Sequence, residues 1–133
     1  MSALILTVIG IGGLLGYAEV KSFAEKGTFM SLQDAEKKWG NIPFSASVFK
    51  TAQASERAKM AVSLIKGKSM LGKTTEEVRS ALGDFSGYFW NDTVPTYFIQ
   101  EGWKTGEDSW QLVFFLNRTH KVKEIKIHKN CCD

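Results

Sequence analysis

One stretch of this sequence has the spacing of a known chemical motif. Gly67-Lys68-Ser69-Met70-Leu71-Gly72-Lys73-Thr74 fits the phosphate-binding pattern G-x-x-x-x-G-K-[ST]. That loop works because its backbone N–H groups wrap a phosphate while the lysine reaches the terminal oxygens. It needs a buried parallel strand before it and a long helix after it. Here a helical pattern precedes it, and the helical pattern that follows spans barely two turns. No later apolar strand ends in a magnesium-holding aspartate, since Gln111-Leu-Val-Phe-Phe-Leu116 runs into Asn117. The remaining chain is too short for a parallel sheet with crossover connections. The glycines and Thr74 therefore read as helix stop, turn and cap, and nucleotide binding through the 67–74 loop stands as a remote alternative.

The other reactive side chains do not assemble into a site. His120 falls in a turn and His128 on a strand surface, with no carboxylate pair or second histidine at metal-ligand spacing. Cys131 and Cys132 are adjacent, a poor geometry for bridging each other, and a zinc site asks for about four ligands. Asp84, Asp92, Glu101, Glu107 and Asp108 read as solvated turn residues. Asn91-Asp-Thr93 and Asn117-Arg-Thr119 match the glycosylation acceptor pattern, and both also read as turns. Neither a catalytic residue, a cofactor nor a metal is expected. The candidates for partner contact are Trp103, in a long polar loop where an exposed tryptophan suits a binding anchor, and the basic residues Lys121, Lys123 and Lys126 of the last strand. Those lysines suit either an edge strand protected from aggregation or a contact with anionic lipid or an acidic partner.

The elements that must carry these residues fall into two unlike parts. Residues 2–18 hold no charge, and the rest is polar and charged. A membrane helix needs about 20 apolar residues, with about 17 as a lower limit, so the segment suits either a retained anchor or a signal peptide with a candidate cleavage site at Gly16-Tyr17-Ala18. Gly10, Gly12, Gly13 and Gly16 disfavour a soluble helix, where each costs about 1 kcal/mol relative to alanine. No cysteine stands near the segment's end, so a lipid anchor is not expected. The chain of 133 residues has room for one domain, and 44% hydrophobic and 12% aromatic residues are ample for its core. A net charge of +3 is too weak to argue for nucleic acid.

The expected organisation is a membrane anchor or signal segment at 1–24, a connector with one short helix at 25–50, and an α+β domain at 51–133. Ser31 caps the connector helix, with Asp34 in its first turn and Gly40 as its stop. A longer helix is expected over 51–65, its buried stripe formed by Ala54, Ala58, Ala61, Val62 and Ile65, with Arg57 off the stripe. Thr74 and Glu77 form a capping box for a helix over 75–82 that stops at Gly83. Then the period changes to two. Strands are expected at Tyr88–Trp90, Thr96–Gln100, Ser109–Leu116 and Lys121–Lys129, with Ser109–Leu116 central because both its faces are apolar. Short turns between successive strands imply an antiparallel meander. The expected fold is thus two helices packed on a three- to four-stranded antiparallel meander sheet, preceded by the apolar helix and the connector helix.

Leu71-Gly72-Lys73-Thr74, then Glu77-Val78, then Leu82-Gly83, followed by aromatic strands with Tyr97 and Leu112-Val113-Phe114-Phe115 and by Val122 after a polar turn, resembles the BamE/SmpA-like superfamily of small bacterial envelope proteins. The likeness covers about residues 50–128. It implies protein binding, often in outer-membrane assembly or envelope maintenance. With residues 2–18 and the lack of a reactive site, the expected protein is a non-catalytic, membrane-tethered module that binds another envelope protein, as a scaffold or assembly factor. It would be anchored in the inner membrane facing the periplasm, or secreted to the periplasm if residues 2–18 are cleaved. An inhibitor or immunity protein that blocks a partner enzyme is the alternative.

Overall fold

The computed structural model describes residues 28–102 and 106–130. The apolar segment 2–18, Trp103 and the cysteine pair lie outside the described residues. Eight elements follow in order: β1 (Phe29–Met30), α1 (Leu32–Trp39), α2 (Ala46–Thr51), α3 (Ala54–Gly67), α4 (Thr75–Leu82), β2 (Thr96–Gln100), β3 (Ser109–Leu116) and β4 (Val122–Asn130). The fold is α+β.

Local chemistry explains most boundaries. Ser31 Oγ accepts the Asp34 amide at 3.1 Å to start α1, and Gly40 ends it. Thr74 Oγ1 accepts the Glu77 amide at 3.2 Å while Glu77 Oε1 accepts the Thr74 amide at 3.0 Å, which closes the capping box of α4. Gly83, at φ 93°, ends that helix by donating its amide to Arg79 O. A side chain there would be strained by the backbone conformation and would also meet Lys50 O at 3.2 Å.

The segment expected as a connector does more than connect. It contributes β1, α1 and α2, and Ala35 and Phe49 are fully buried in the same core as α3 and α4. The helix expected over 51–65 is α3, at Ala54–Gly67, and a further helix, α2, precedes it, with Ala52 and Gln53 extended between them. The cause is Arg57. Its Nε donates to Phe49 O at 2.9 Å and its Nη2 to Lys50 O at 3.2 Å, so the guanidinium caps the carbonyl end of α2 from inside α3. Arg57 was expected off the buried stripe; it is only 8% exposed.

The sheet is antiparallel with order β1-β4-β3-β2. β2, β3 and β4 form the expected meander, paired through Tyr97↔Leu112 and Leu112↔Ile127. The fourth strand is β1, not Tyr88–Trp90, and it pairs with the far side of β4 through Phe29↔His128 and Met30↔Ile127. One of the two readings of the lysines puts the basic last strand at the sheet edge. It lies inside, because β1 covers one part and the turn before α4 covers another, with Gly72 N donating to Val122 O and Val122 N to Lys73 O, each at 2.8 Å. β2 forms the outer strand.

Strand alternation gives the sheet two faces. Tyr97, Leu112, Phe114, Ile125 and Ile127 pack beneath the helices, against Met60, Leu64, Val78 and Leu82. Val113 and Phe115 are buried on the other face with Phe89, Phe29 and Val94. Both faces of β3 are therefore apolar and covered, as its sequence implies.

Arg57 also lies over the rings of Phe49 and Tyr97, at 4.7 and 5.2 Å. Burial pulls its pKa below the ordinary arginine range and pushes the Tyr97 phenol up. The neutral phenol donates to Gly83 O at 2.7 Å. Replacing Arg57 by alanine is expected to cost about 3 kcal/mol, because two charge-assisted hydrogen bonds go and the buried end of α2 keeps only the Ala52 amide on Phe49 O. Arg57→Lys should recover less than half, since an ammonium cannot fork between both carbonyls. Denaturant unfolding measures both; an Arg57→Ala protein as stable as the wild type would refute this account of the α2–α3 junction.

Candidate functional site

The residues singled out from the sequence do not form one patch. Lys121 closes the 117–121 turn, where its amide donates to Asn117 Oδ1 at 3.1 Å, and its side chain is exposed. Lys123 is also exposed. Lys126 instead lies against the second sheet face, with Nζ 4.9 Å from the Phe29 ring centre, 5.8 Å from that of Phe115 and 4.0 Å from Glu124 Oε2. Such cation–ring contacts use up a lysine's charge within the fold. Trp103 lies outside the described residues. His120 is exposed in its turn at φ 62°, and His128 packs between Phe29 and Phe89, at 5.4 and 4.9 Å.

The 67–74 loop is closed on itself. The amides of Leu71, Gly72 and Lys73 donate to Lys68 O, Val122 O and Met70 O. The Thr74 amide donates to Glu77 Oε1, and the Thr74 hydroxyl is the helix cap. Four amides in a row, from Leu71 to Thr74, are thus committed to protein acceptors.

Two features that sequence reasoning did not assign stand out. The first is the tip of the loop between α4 and β2. Asn91 N donates to Phe89 O at 2.8 Å across Trp90, which has φ 69°. This is a γ-turn of the rare positive-φ kind, in place of the strand expected at Tyr88–Trp90. Tyr88 Oη donates to Trp90 O at 2.7 Å and braces the turn. Phe89 points inward, 5.3 Å from Phe115. Tyr88 and Trp90 point outward, 59% and 58% exposed. No glycine marks this γ-turn in the sequence.

The base of this loop is held by Gln111. Its Nε2 donates to Tyr88 O at 3.2 Å and also lies 3.3 Å from His128 Nδ1. Gly87 makes the approach possible: a Cβ there would stand 2.5 Å from Gln111 Oε1 and 2.8 Å from Thr96 Cγ2. Ser86 and Gly87 both donate their amides to Thr96 O, which fixes the loop to the outer strand.

The second feature is a cleft of about 780 Å³ between the end of α1, the start of α3 and the end of β2. Its lining includes Lys38, Arg57 and Lys59, Glu101 and Glu107, and the aromatic rings of Trp39 and Phe98. Trp39 Nε1 donates to Gln100 Oε1 at 3.3 Å, which holds the indole across the opening. Gln53, at the N-cap of α3, makes no side-chain cap bond. The cleft lies at the β2 edge, opposite the edge where β1 enters the sheet.

Among the described residues no group of three or more His, Cys, Asp or Glu could hold a metal ion, and no helix is long and apolar enough to cross a membrane. No protein-family model, curated protein or solved structure matches the chain.

Two outcomes are expected. Gly87→Ala should destabilise the protein by about 1–3 kcal/mol through overpacking against Gln111 and Thr96, measurable by thermal or denaturant unfolding. Glu77 should titrate below the ordinary carboxylate range, because the Thr74 N–H donates to it. A depressed folded pKa means its contribution is present above the ordinary value and lost as pH falls through the depressed one. Carboxyl NMR titration would show this, and Thr74→Ala should move the midpoint part of the way back while costing about 1 kcal/mol.

Proposed function

We propose that this chain is a non-catalytic binding module of the cell envelope, tethered to a membrane by residues 2–18 and working as a scaffold or assembly factor. The cleft at the β2 edge receives the partner protein. The observation that carries this reading is the cleft itself: an opening of about 780 Å³ with an indole beside two surface lysines and a buried guanidinium. Aromatic and arginine groups dominate protein-binding energetics when they line a pocket. Lys59 pairs with Glu56 at 3.3 Å and Lys38 lies 5.8 Å over the Trp39 ring, but three cations against Glu101 and Glu107 leave the lining net positive. That suits an acidic segment whose charges speed encounter and set register. The Leu71-Gly72-Lys73-Thr74 and Leu82-Gly83 likeness to BamE/SmpA-like envelope proteins points in the same direction. The committed amides of the 67–74 loop weigh against a nucleotide-dependent enzyme.

The test is a photo-cross-linker placed at Ser55, on the cleft wall, in intact envelopes. A discrete protein adduct is expected, and reversing two charges together, Lys38→Glu with Lys59→Glu, should lower its yield about tenfold. No adduct, or one indifferent to the charge reversal, would remove the cleft as the partner site. Carbonate extraction tests the tether separately: the full chain is expected to stay in the membrane pellet.

A further inference from the structure

Trp90 is costly where it stands. A bulky side chain at positive φ is strained, and asparagine or glycine would take the same turn with less strain. Packing within the chain offers little return, because the ring is 58% exposed and the Phe89 ring is 6.4 Å away and tilted. The surrounding structure nonetheless enforces the turn, through Tyr88 Oη on Trp90 O, Gln111 on Tyr88 O and Phe89 wedged against Phe115 and His128. The result is two amphipathic rings held outward on a rigid base.

We propose that this tip, Tyr88 and Trp90, docks into the interfacial layer of the membrane to which the chain is tethered. The proposal rests on the membrane-tether reading of residues 2–18. Tryptophan and tyrosine are the side chains that settle at the membrane–water boundary, with an apolar ring body and a polar N–H or O–H at its rim. The placement of the tether supplies the second argument. Phe29 packs on one side of His128 and Phe89 on the other, so the start of the described chain and the root of the tip share one sheet face. Between Ala18 and Thr28 stand nine residues, whose fully extended reach is roughly 30 Å. A tether that short keeps the tip at high effective concentration next to the bilayer, so a weak insertion suffices.

The immediate neighbours of the tip favour a lipid surface over a protein one. A protein hot spot is ringed by close-packed contacts that exclude water. Here the flanking residues are Asn91, Asp92 and Thr93, all exposed, and Asn91 Oδ1 is occupied by the Thr93 amide at 2.9 Å. Docking this way would orient the domain. The second sheet face would turn toward the bilayer, and the cleft would stand at the far sheet edge from the strand next to the tether.

The test uses the full chain labelled with 5-fluorotryptophan in phosphatidylcholine nanodiscs, where the zwitterionic headgroups leave the rings to carry any contact. Trp90→Phe assigns the Trp90 resonance by its loss, and the partly buried Trp39 and Trp110 serve as internal references. With a lipid spin-labelled near the headgroup, the Trp90 resonance is expected to relax severalfold faster than those two. If the protein co-purifies with the discs and Trp90 relaxes no faster than the references, docking is overturned and the tether reading stands. If it does not co-purify, the tether reading fails and docking falls with it. If Trp90 relaxes no faster than the references but its resonance shifts when an envelope protein is added, the tip contacts that protein and the proposal is overturned. Should the labelled protein fail to fold, flotation of unlabelled protein with brominated phosphatidylcholine gives the same decision by fluorescence. The expected result is quenching in the wild type that Trp90→Phe reduces; equal quenching in both would overturn the proposal.

Discussion

Arg57 stands where α2 ends, α3 begins and β2 passes beneath them. Its guanidinium binds the carbonyls of Phe49 and Lys50 and lies over the rings of Phe49 and Tyr97. A helix of only six residues has little intrinsic stability, since nucleation is unfavourable and few hydrogen bonds follow it. Covering its carbonyl end with a cation answers both the unsatisfied acceptors and the negative end of the helix dipole. The guanidinium carbon lies over both rings while its N–H groups make the hydrogen bonds, a combination that an ammonium cannot reproduce. Tyr97 extends the arrangement by donating to Gly83 O at the end of α4. One buried cation thus places the helix layer against the sheet, and the cleft beside α3 inherits its shape from that junction.

The sheet carries two different kinds of apolar surface. Its helix-facing side is a continuous core, in which side chains from every helix meet β2, β3 and β4. Its other side is a smaller aromatic cluster, covered by a short strand and an irregular loop rather than by a helix. Such a cover must be fixed by particular contacts, because an irregular segment has no repeating hydrogen-bond ladder. Gln111 does this by reaching from the central strand to Tyr88 O, and Gly87 permits the approach. The buried amide of Gln111 ties the loop to one conformation and thereby fixes where the exposed rings point.

Legibility in the sequence followed the range of the interactions. The bounds of α4 were readable because Thr74, Glu77 and Gly83 act within one helix turn of themselves. β3 was readable because its residues are apolar on both faces and its neighbours follow in order. The helix α2 was not, since the group that ends it is an arginine in the next helix, reached only after the chain turns at Ala52-Gln53. The strand β1 has two residues and exists through pairing with the other end of the chain, so no local pattern announces it. Its presence moved β4 from the edge to the interior and drew Lys126 onto Phe29 and Phe115, which altered the surface expected of the basic strand. The cleft was illegible for the same reason: Trp39, Ser55 and Phe98 are brought together only by the helix layer settling on β2.

The attachment of β1 also bears on how the domain would respond to mechanical load. A pull applied through Thr28 first meets the amide of Lys129 on Thr28 O and the two register pairs of β1 with β4. Behind them lies α1, whose Ala35 is locked in the core. The short strand is therefore a weak link in series with a strong body. Load would peel it from β4 and disturb the ring of Phe29 against His128 before reaching the helices, making this corner a fuse that yields while the rest of the domain stays folded.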